Sequence, residues 1–259
     1  MIHQLRLFFI ALQFLTRVPV PRWVGFEPAW LNQSARHFPA VGLCVGAVSA
    51  LVLVASEALF GRVVGVGLAM VASVLITGAF HEDGLADTLD ALGGAVSRER
   101  ALEIMKDSRI GAYGAIGLVL VLGLKAATLA SMPLATAVPA LVLAHTASRA
   151  AAVTLIRMLP YAGDIEHAKA KPMAQRVERL DVVIAVAWVA LVTAALWWHA
   201  PHDASAVLVS LLLALAGTVW CARWWRRRLG GYTGDTLGAT QQITELLMLL
   251  GWLAFSRAA

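Results

Sequence analysis

Seven stretches of this chain are apolar for about the length a helix needs to cross a bilayer, roughly 17–25 residues. They cover residues 38–59, 63–80, 110–130, 134–156, 182–199, 204–221 and 240–256. Hydrophobic residues make up 59% of the 259 positions and charged residues 14%, against about 45–50% and about 25% in soluble domains. The expectation is an all-α, polytopic integral membrane helix bundle of about seven transmembrane helices, forming a single domain over 1–259. Gly42 with Gly46, and Gly111 with Gly114 and Gly117, suit close helix packing in lipid. The N-terminal apolar stretch is only about signal-peptide length and no small-residue cleavage site follows it. It reads as a retained interfacial or re-entrant helix. Cys44 and Cys221 both lie in apolar runs and read as buried small hydrophobes, not as a disulfide or a metal site.

The loops set the expected orientation. Seventeen of the 21 Lys and Arg residues fall before the first span or in the loops 81–109, 157–181 and 223–239. The alternate connections hold almost none. That bias places the long loops in the cytoplasm and the short ones outside. The net charge of +5 is therefore read as a match to anionic lipid and phosphate, not to nucleic acid, since no basic stripe with interleaved aromatics occurs.

The most informative stretch begins where the second span ends, at Thr77-Gly78-Ala79-Phe80-His81-Glu82-Asp83-Gly84-Leu85-Ala86-Asp87-Thr88-Leu89-Asp90. Continued as helix, it puts Asp83, Asp87 and Asp90 on one face through their i, i+4, i+7 spacing. Stacked carboxylates repel one another, and a bound divalent cation reverses that sign. Oxygen donors without thiolate suit Mg²⁺, Mn²⁺ or Ca²⁺ rather than zinc, with His81 and Glu82 as outer supports. The competing reading is a solvated acidic face. The adjoining transmembrane helix favours function, because ionisable groups are costly there.

Two more motifs lie on the same predicted side. In Met105-Lys106-Asp107-Ser108-Arg109-Ile110-Gly111, Ser108 is a candidate cap for the following helix, whose open N–H groups attract phosphate. Lys106 and Arg109 add positive charge, and Asp107 is a further metal ligand or base candidate; an ordinary charged loop is the alternative. In Gly230-Gly231-Tyr232-Thr233-Gly234-Asp235-Thr236-Leu237-Gly238, four glycines near Asp235 let backbone approach a ligand closely. Arg226, Arg227 and Arg228 read first as a membrane anchor and second as phosphate contacts. Within the spans, Lys125 is expected to snorkel outward. Arg149 is expected to face the bundle interior and meet a carboxylate or phosphate. His145 reads as a satisfied interior histidine.

Taken together, these motifs resemble the cobalamin-5′-phosphate synthase family, also called adenosylcobinamide-GDP ribazoletransferases. The resemblance rests on Thr16-Arg17-Val18-Pro19-Val20-Pro21, Phe38-Pro39-Ala40-Val41-Gly42, the His81–Asp90 stretch, Ile104-Met105-Lys106-Asp107-Ser108-Arg109-Ile110-Gly111 and Gly231-Tyr232-Thr233-Gly234-Asp235-Thr236-Leu237-Gly238-Ala239. It spans nearly the whole length. Where Glu82 stands the family often has an apolar residue, which argues against Glu82 as an essential ligand.

The resemblance implies a Mg²⁺-dependent transferase at the bacterial inner membrane, with its active site facing the cytoplasm. Such enzymes join adenosylcobinamide-GDP to α-ribazole or α-ribazole 5′-phosphate and release GMP. On that reading Asp83, Asp87 and Asp90 hold the metal, with Asp83, Asp87 and Asp107 as the catalytic carboxylates. Lys106, Arg109, Gly234, Asp235 and Arg149 then serve the substrate pyrophosphate and nucleotide. Partners are the two substrates and membrane lipid; a homo-oligomer and other membrane enzymes of the cobalamin pathway are compatible with it. A CDP-alcohol-phosphotransferase-like enzyme is the chemical alternative, though its later paired aspartates are missing. A secondary transporter is the alternative of another class, though no repeat and no midplane-centred acid cluster supports it.

Overall fold

The computed structural model describes residues 2–163, 174, 176–199 and 204–256. Among these, eleven α-helices follow one another: α1 Ile2–Leu15, α2 Pro28–Ser34, α3 Phe38–Phe60, α4 Arg62–Thr77, α5 Phe80–Leu92 and α6 Arg98–Ile104, then α7 Ala112–Ala130, α8 Leu134–Met158, α9 Arg179–His199, α10 Ala204–Leu229 and α11 Gly234–Ser256. Strand pairing among the described residues is confined to a bridge between Tyr161 and Tyr232.

Among the described residues, five helical stretches are long and apolar enough to cross a membrane: Pro28–Phe60, α7, α8, α9 and α10. The bent pair α4 and α5 makes a sixth if counted as one span. The expected seven shrink for two physical reasons. The 63–80 segment yields only 16 helical residues in α4, about 24 Å at 1.5 Å per residue, and the chain then turns by 89° into α5. The 240–256 segment lies within α11, which buries Thr240, Gln241, Gln242, Thr244 and Glu245 inside the protein. Those polar side chains make α11 less apolar than the other long helices, although its 23 residues are long enough to cross. α1, with 14 residues, is too short to cross.

α8 and α11 form the centre. The most apolar stretch of α8 is 83% buried, against 22% in α7 and 17% in α9. α8 packs on α3, α9, α10 and α11, and α11 packs on α5, α8 and α10. The outward faces of α7 and α9 carry Ile116, Val119 and Leu120, and Val183, Val186 and Leu191, which need no burial if lipid surrounds them. Cys44 is on such an outward face of α3, while Cys221 is buried. The expectation that both thiols are buried thus fails for Cys44, for the same reason.

Small residues set the closest approaches. A Cβ on Gly42 or Gly46 would run into the α8 backbone at His145 and Val142. On α7, Gly111 and Gly114 leave room for Asp90, and Gly117 for Leu89. Both glycine groups therefore do the packing work expected of them. The α4–α5 turn is made by two successive left-handed residues, Gly78 at φ 68° and Ala79 at φ 60°. Alanine there carries strain that glycine would not. The turn is held from the N-terminal side, where the Arg17 N–H donates to the Ile76 carbonyl at 2.7 Å. Arg36 and Asp181, both largely buried, pair and tie the start of α3 to the start of α9.

Candidate functional site

α5 carries all three carboxylates of the acidic stretch on one face, within about 60° of one another at 100° per residue. Asp83 is exposed, while Asp87 and Asp90 are half-buried. Asp90 is committed to a neighbour: its two oxygens accept the Gly111 N–H at 2.7 Å and the Gly114 N–H at 2.8 Å. That bond pair caps the start of α7 from a different helix. The expected cap, Ser108, gives way because no residue of the loop itself caps α7. The N–H groups of Gly111 and Gly114, expected to attract phosphate, are already answered by a carboxylate.

The opposite wall is the start of α11. Thr233 accepts the Thr236 N–H through its hydroxyl at 3.2 Å, and the Thr236 hydroxyl accepts the Thr233 N–H at 2.8 Å. This reciprocal pair fixes the helix start just before Asp235. The preceding turn is clamped by backbone bonds of Tyr232 to Pro160 and Ala162 at 3.0 and 2.8 Å. Burial raises the Tyr232 phenol above its ordinary range. Arg98 donates to the Leu229 carbonyl at 2.6 Å, and Arg228 to the Leu92 and Gly94 carbonyls at 3.3 and 3.1 Å. Arg228 thus neutralises the carbonyl end of α5, a favourable place for a cation.

The two walls meet at Gly84. A Cβ there would come within 2.8 Å of the Asp235 carbonyl oxygen and 3.1 Å of its Cα. Across the same contact, a Cβ on Gly238 would lie 3.2 Å from the His81 carbonyl. Only glycine on α5 lets the acid-bearing turn of α11 approach this closely. The Asp235 backbone is therefore brought against the α5 turn that follows Asp83, from a segment about 150 residues away. Among the described residues, no three His, Cys, Asp or Glu side chains converge as a ready metal cage.

Asp107 and Arg109 sit on the loop between α6 and α7. Arg109 grips the Asp107 carboxylate through Nε at 2.9 Å and Nη2 at 2.6 Å. These bonds hold the carboxyl down to about 2. The loop is anchored at Gly111 by Asp90, so the pair lies near the α5 face along the chain. Lys106 is on the same loop.

Deeper in the bundle lies a second set of charges. Lys125 is only 2% exposed and pairs with Glu245, so the expected outward reach of Lys125 is corrected: a buried carboxylate is its partner. His145 Nδ1 lies 3.2 Å from the other Glu245 oxygen. Gln241 bonds Glu245 and donates to Ser148 at 3.0 Å. Gln242 donates to Glu82 at 2.9 Å and to Gln241 at 3.0 Å. Arg149, also 2% exposed, donates to the His145 carbonyl at 2.9 Å. Its Nε has no hydrogen-bond partner among the described residues. The signal in the sequence was Glu245: a lone acid in an apolar helix demands a cation, and Lys125 supplies it, with the His145 ring beside the pair.

Arg149 also borders a small, almost wholly apolar cleft with Phe14, Phe38, Phe80, Ile156 and Leu237, beside His81 and Gly234. The cleft thus joins the interior charges to the start of α11, one residue from Asp235.

The family model described as cobalamin-5-phosphate synthase matches residues 7–253. A protein of Leptothrix cholodnii named adenosylcobinamide-GDP ribazoletransferase is 58% identical over 257 residues, covering 98% of this chain and 97% of that protein. Proteins of the same name from Shewanella amazonensis and Vibrio cholerae are each 44% identical, covering 96% and 98% of this chain and 95% of each relative. No solved structure matches the chain.

Proposed function

The chain belongs to the cobalamin-5-phosphate synthase family, and on that premise we propose that it joins adenosylcobinamide-GDP to α-ribazole or its 5′-phosphate with release of GMP, using Mg²⁺. A ribose hydroxyl of the acceptor attacks the phosphorus on the cobinamide side of the pyrophosphate. A P–O bond to the acceptor forms, the P–O bond to GMP breaks, and GMP departs with the electron pair. The hydroxyl proton passes to a carboxylate oxygen of the α5 face. The observation that carries this reading is the contact of Gly84 with Asp235, which sets two acid-bearing motifs side by side.

Magnesium usually keeps several waters and binds through one or two carboxylates plus substrate phosphates. Exposed Asp83 and half-buried Asp87 fit that habit, with Asp235 across the junction, and a full protein cage is not required. Asp90 contributes by fixing α7 against the acidic face. When bound, the ion supplies neutralisation of phosphate charge and a clamp on the reacting oxygens. Everything else in such transfers is positioning and charge. Arg109 can exchange Asp107 for a substrate pyrophosphate, with Lys106 on the same loop. Held near 2, Asp107 is a poor proton acceptor at neutral pH, so it orients Arg109 or ligates the ion. The bias of Lys and Arg toward these loops supports a cytoplasmic site in the bacterial inner membrane.

The test is GMP release by purified, folded protein from adenosylcobinamide-GDP plus α-ribazole 5′-phosphate, with and without Mg²⁺. Release that needs both substrates and the ion is expected. Absence of release under every condition would overturn the reading.

A further inference from the structure

We infer that the end of α10 that the loop charges place in the cytoplasm is a binding site for an anionic phospholipid of the surrounding bilayer. Arg223, Arg226 and Arg227 take its headgroup phosphate, Trp220 lies at the level of the ester groups, and leucines further along the helix hold an acyl chain. The site goes beyond the transferase reading and does not depend on it.

The basic run at the end of α10 divides by direction. Arg228 turns inward, where it donates to the Leu92 and Gly94 carbonyls at 3.3 and 3.1 Å. Arg223, Arg226 and Arg227 stay exposed. None of the three is held by an ion pair or side-chain hydrogen bond among the described residues. At 100° per residue, Trp220, Arg223 and Arg227 fall within about 60° of one another, and Trp220 is 52% exposed on that face. Toward the other end of the helix, Leu208, Leu212 and Leu215 are each more than half exposed. An outward apolar strip therefore runs down α10 to the three arginines.

Length sets the depth of these groups. α10 has 26 residues, about 39 Å at 1.5 Å per residue, against a hydrocarbon core of about 30 Å. With Ala204 at the outer boundary, the inner boundary falls near Trp224. Trp220 then lies just inside it, and Arg226 and Arg227 lie at headgroup level. Bilayer interfaces favour this order of tryptophan and then basic residue. The planar guanidinium fork matches phosphate oxygens. α10 contains no Asp or Glu, so the ammonium of a zwitterionic headgroup meets only repulsion there, and an anionic lipid is preferred.

The site reaches both elements that carry the acidic motifs. The Trp220 and Trp224 rings are 4.8 Å apart, and Trp224 stacks on Trp225 at 4.6 Å. Trp225 is buried and its indole N–H donates to the Thr240 hydroxyl of α11 at 3.0 Å. Arg228, next to Arg227, holds the carbonyl end of α5. A lipid that fixes the outward arginines steadies the last turn of α10 and, through Arg228, the end of α5.

The experiment uses the full-length protein in nanodiscs of phosphatidylcholine, with and without phosphatidylglycerol. Phosphatidylglycerol binding is read by native mass spectrometry, and hydrogen exchange is followed at residues 89–94. Arg223→Gln with Arg227→Gln is compared with Arg100→Gln plus Arg157→Gln, which removes the same charge from two other exposed arginines. The first pair is expected to weaken phosphatidylglycerol at least five-fold and the second less than two-fold. Phosphatidylglycerol is expected to slow exchange at residues 89–94 at least three-fold in wild type and in the second pair, and not in the first. Should the first pair not fold, Arg227→Gln alone carries the test, with at least a two-fold loss of binding. Equal loss in both pairs means diffuse surface charge and overturns the site, as does unchanged binding in the first. Equal slowing by inorganic phosphate in phosphatidylcholine discs puts a soluble anion in place of the lipid and overturns it too.

Discussion

Glu82 and Asp83 are adjacent on α5 and belong to different regions of the molecule. Glu82 is buried and bonded by Gln242 of α11. Asp83 is exposed, on a face with Asp87 and Asp90. The first belongs to an interior network in which Lys125 and Arg149 are set against Glu245 and Glu82. The second belongs to the face of α5 that carries all three aspartates. Buried charges persist when they are compensated, so the interior network is explained by the chain alone. Carboxylates gathered on one helix face beside a second acidic motif mark a place where a ligand can bind. Depth of burial, more than charge count, separates scaffold from site here.

The largest effect is expected from Glu245→Gln. It leaves Lys125 buried without its anion, and breaking a buried pair in this way costs about 3–5 kcal/mol. Thermal unfolding in detergent should drop accordingly, while turnover per folded molecule is kept. Replacing both partners, Lys125→Met with Glu245→Leu, should recover much of the loss. Stability unmoved by Glu245→Gln would break the claim that this region is scaffold.

Next comes Asp87→Asn, the mirror image. Removing one strong electrostatic contributor from such a site costs about 10²–10³-fold in kcat. The melting temperature should change far less than in Glu245→Gln. Near-normal turnover at limiting Mg²⁺ would remove Asp87 from the site, and a collapse in stability would make it scaffold.

Half of this contrast is legible in the sequence. Asp83, Asp87 and Asp90 stand out because a helical spacing of acids follows directly on an apolar run, and Arg149 because a charge deep in a span is rarely idle. The pairing of Lys125 with Glu245 is not legible, because 120 residues separate them and no local pattern brings them together. The bend before α5 is hidden too. Gly78 hints at a turn, but Ala79 and Phe80 continue the apolar pattern while Ala79 adopts φ 60°. Nor does spacing reveal that Asp90 spends both oxygens on α7, since that depends on which helix α5 meets. The partners of the Thr, Gln and Glu residues of α11 are visible only in three dimensions.

A smaller effect is expected at Asp90, which sharpens the comparison within the acidic face. Asp90→Ala removes the cap on α7, a loss of about 0.5–2 kcal/mol by the usual worth of such bonds. Both stability and kcat should fall moderately, since the cap also fixes the Lys106–Arg109 loop. Asp90→Asn, which keeps one acceptor oxygen, should lie between. A loss of turnover as deep as that of Asp87→Asn, with no change in melting, would instead put Asp90 among the groups that meet the ion.

The smallest effect is expected at Asp107, whose carboxylate is already compensated although it lies at the surface. Arg109 holds it down to about 2. Because the value is lowered, the pair is fully formed above the ordinary aspartate range, near 3.8, and is lost only as pH falls through about 2. No step of the rate profile between about pH 5 and 9 should therefore belong to Asp107. Asp107→Asn is expected to lower kcat/KM by no more than about ten-fold, through a less well-oriented Arg109, with the shape of the pH profile unchanged. A profile that loses its acidic limb in Asp107→Asn would show a carboxylate titrating in the working range. Asp107 would then be the general base and the grip of Arg109 would have to open in the substrate complex, which ties the loop to turnover as closely as α5 itself.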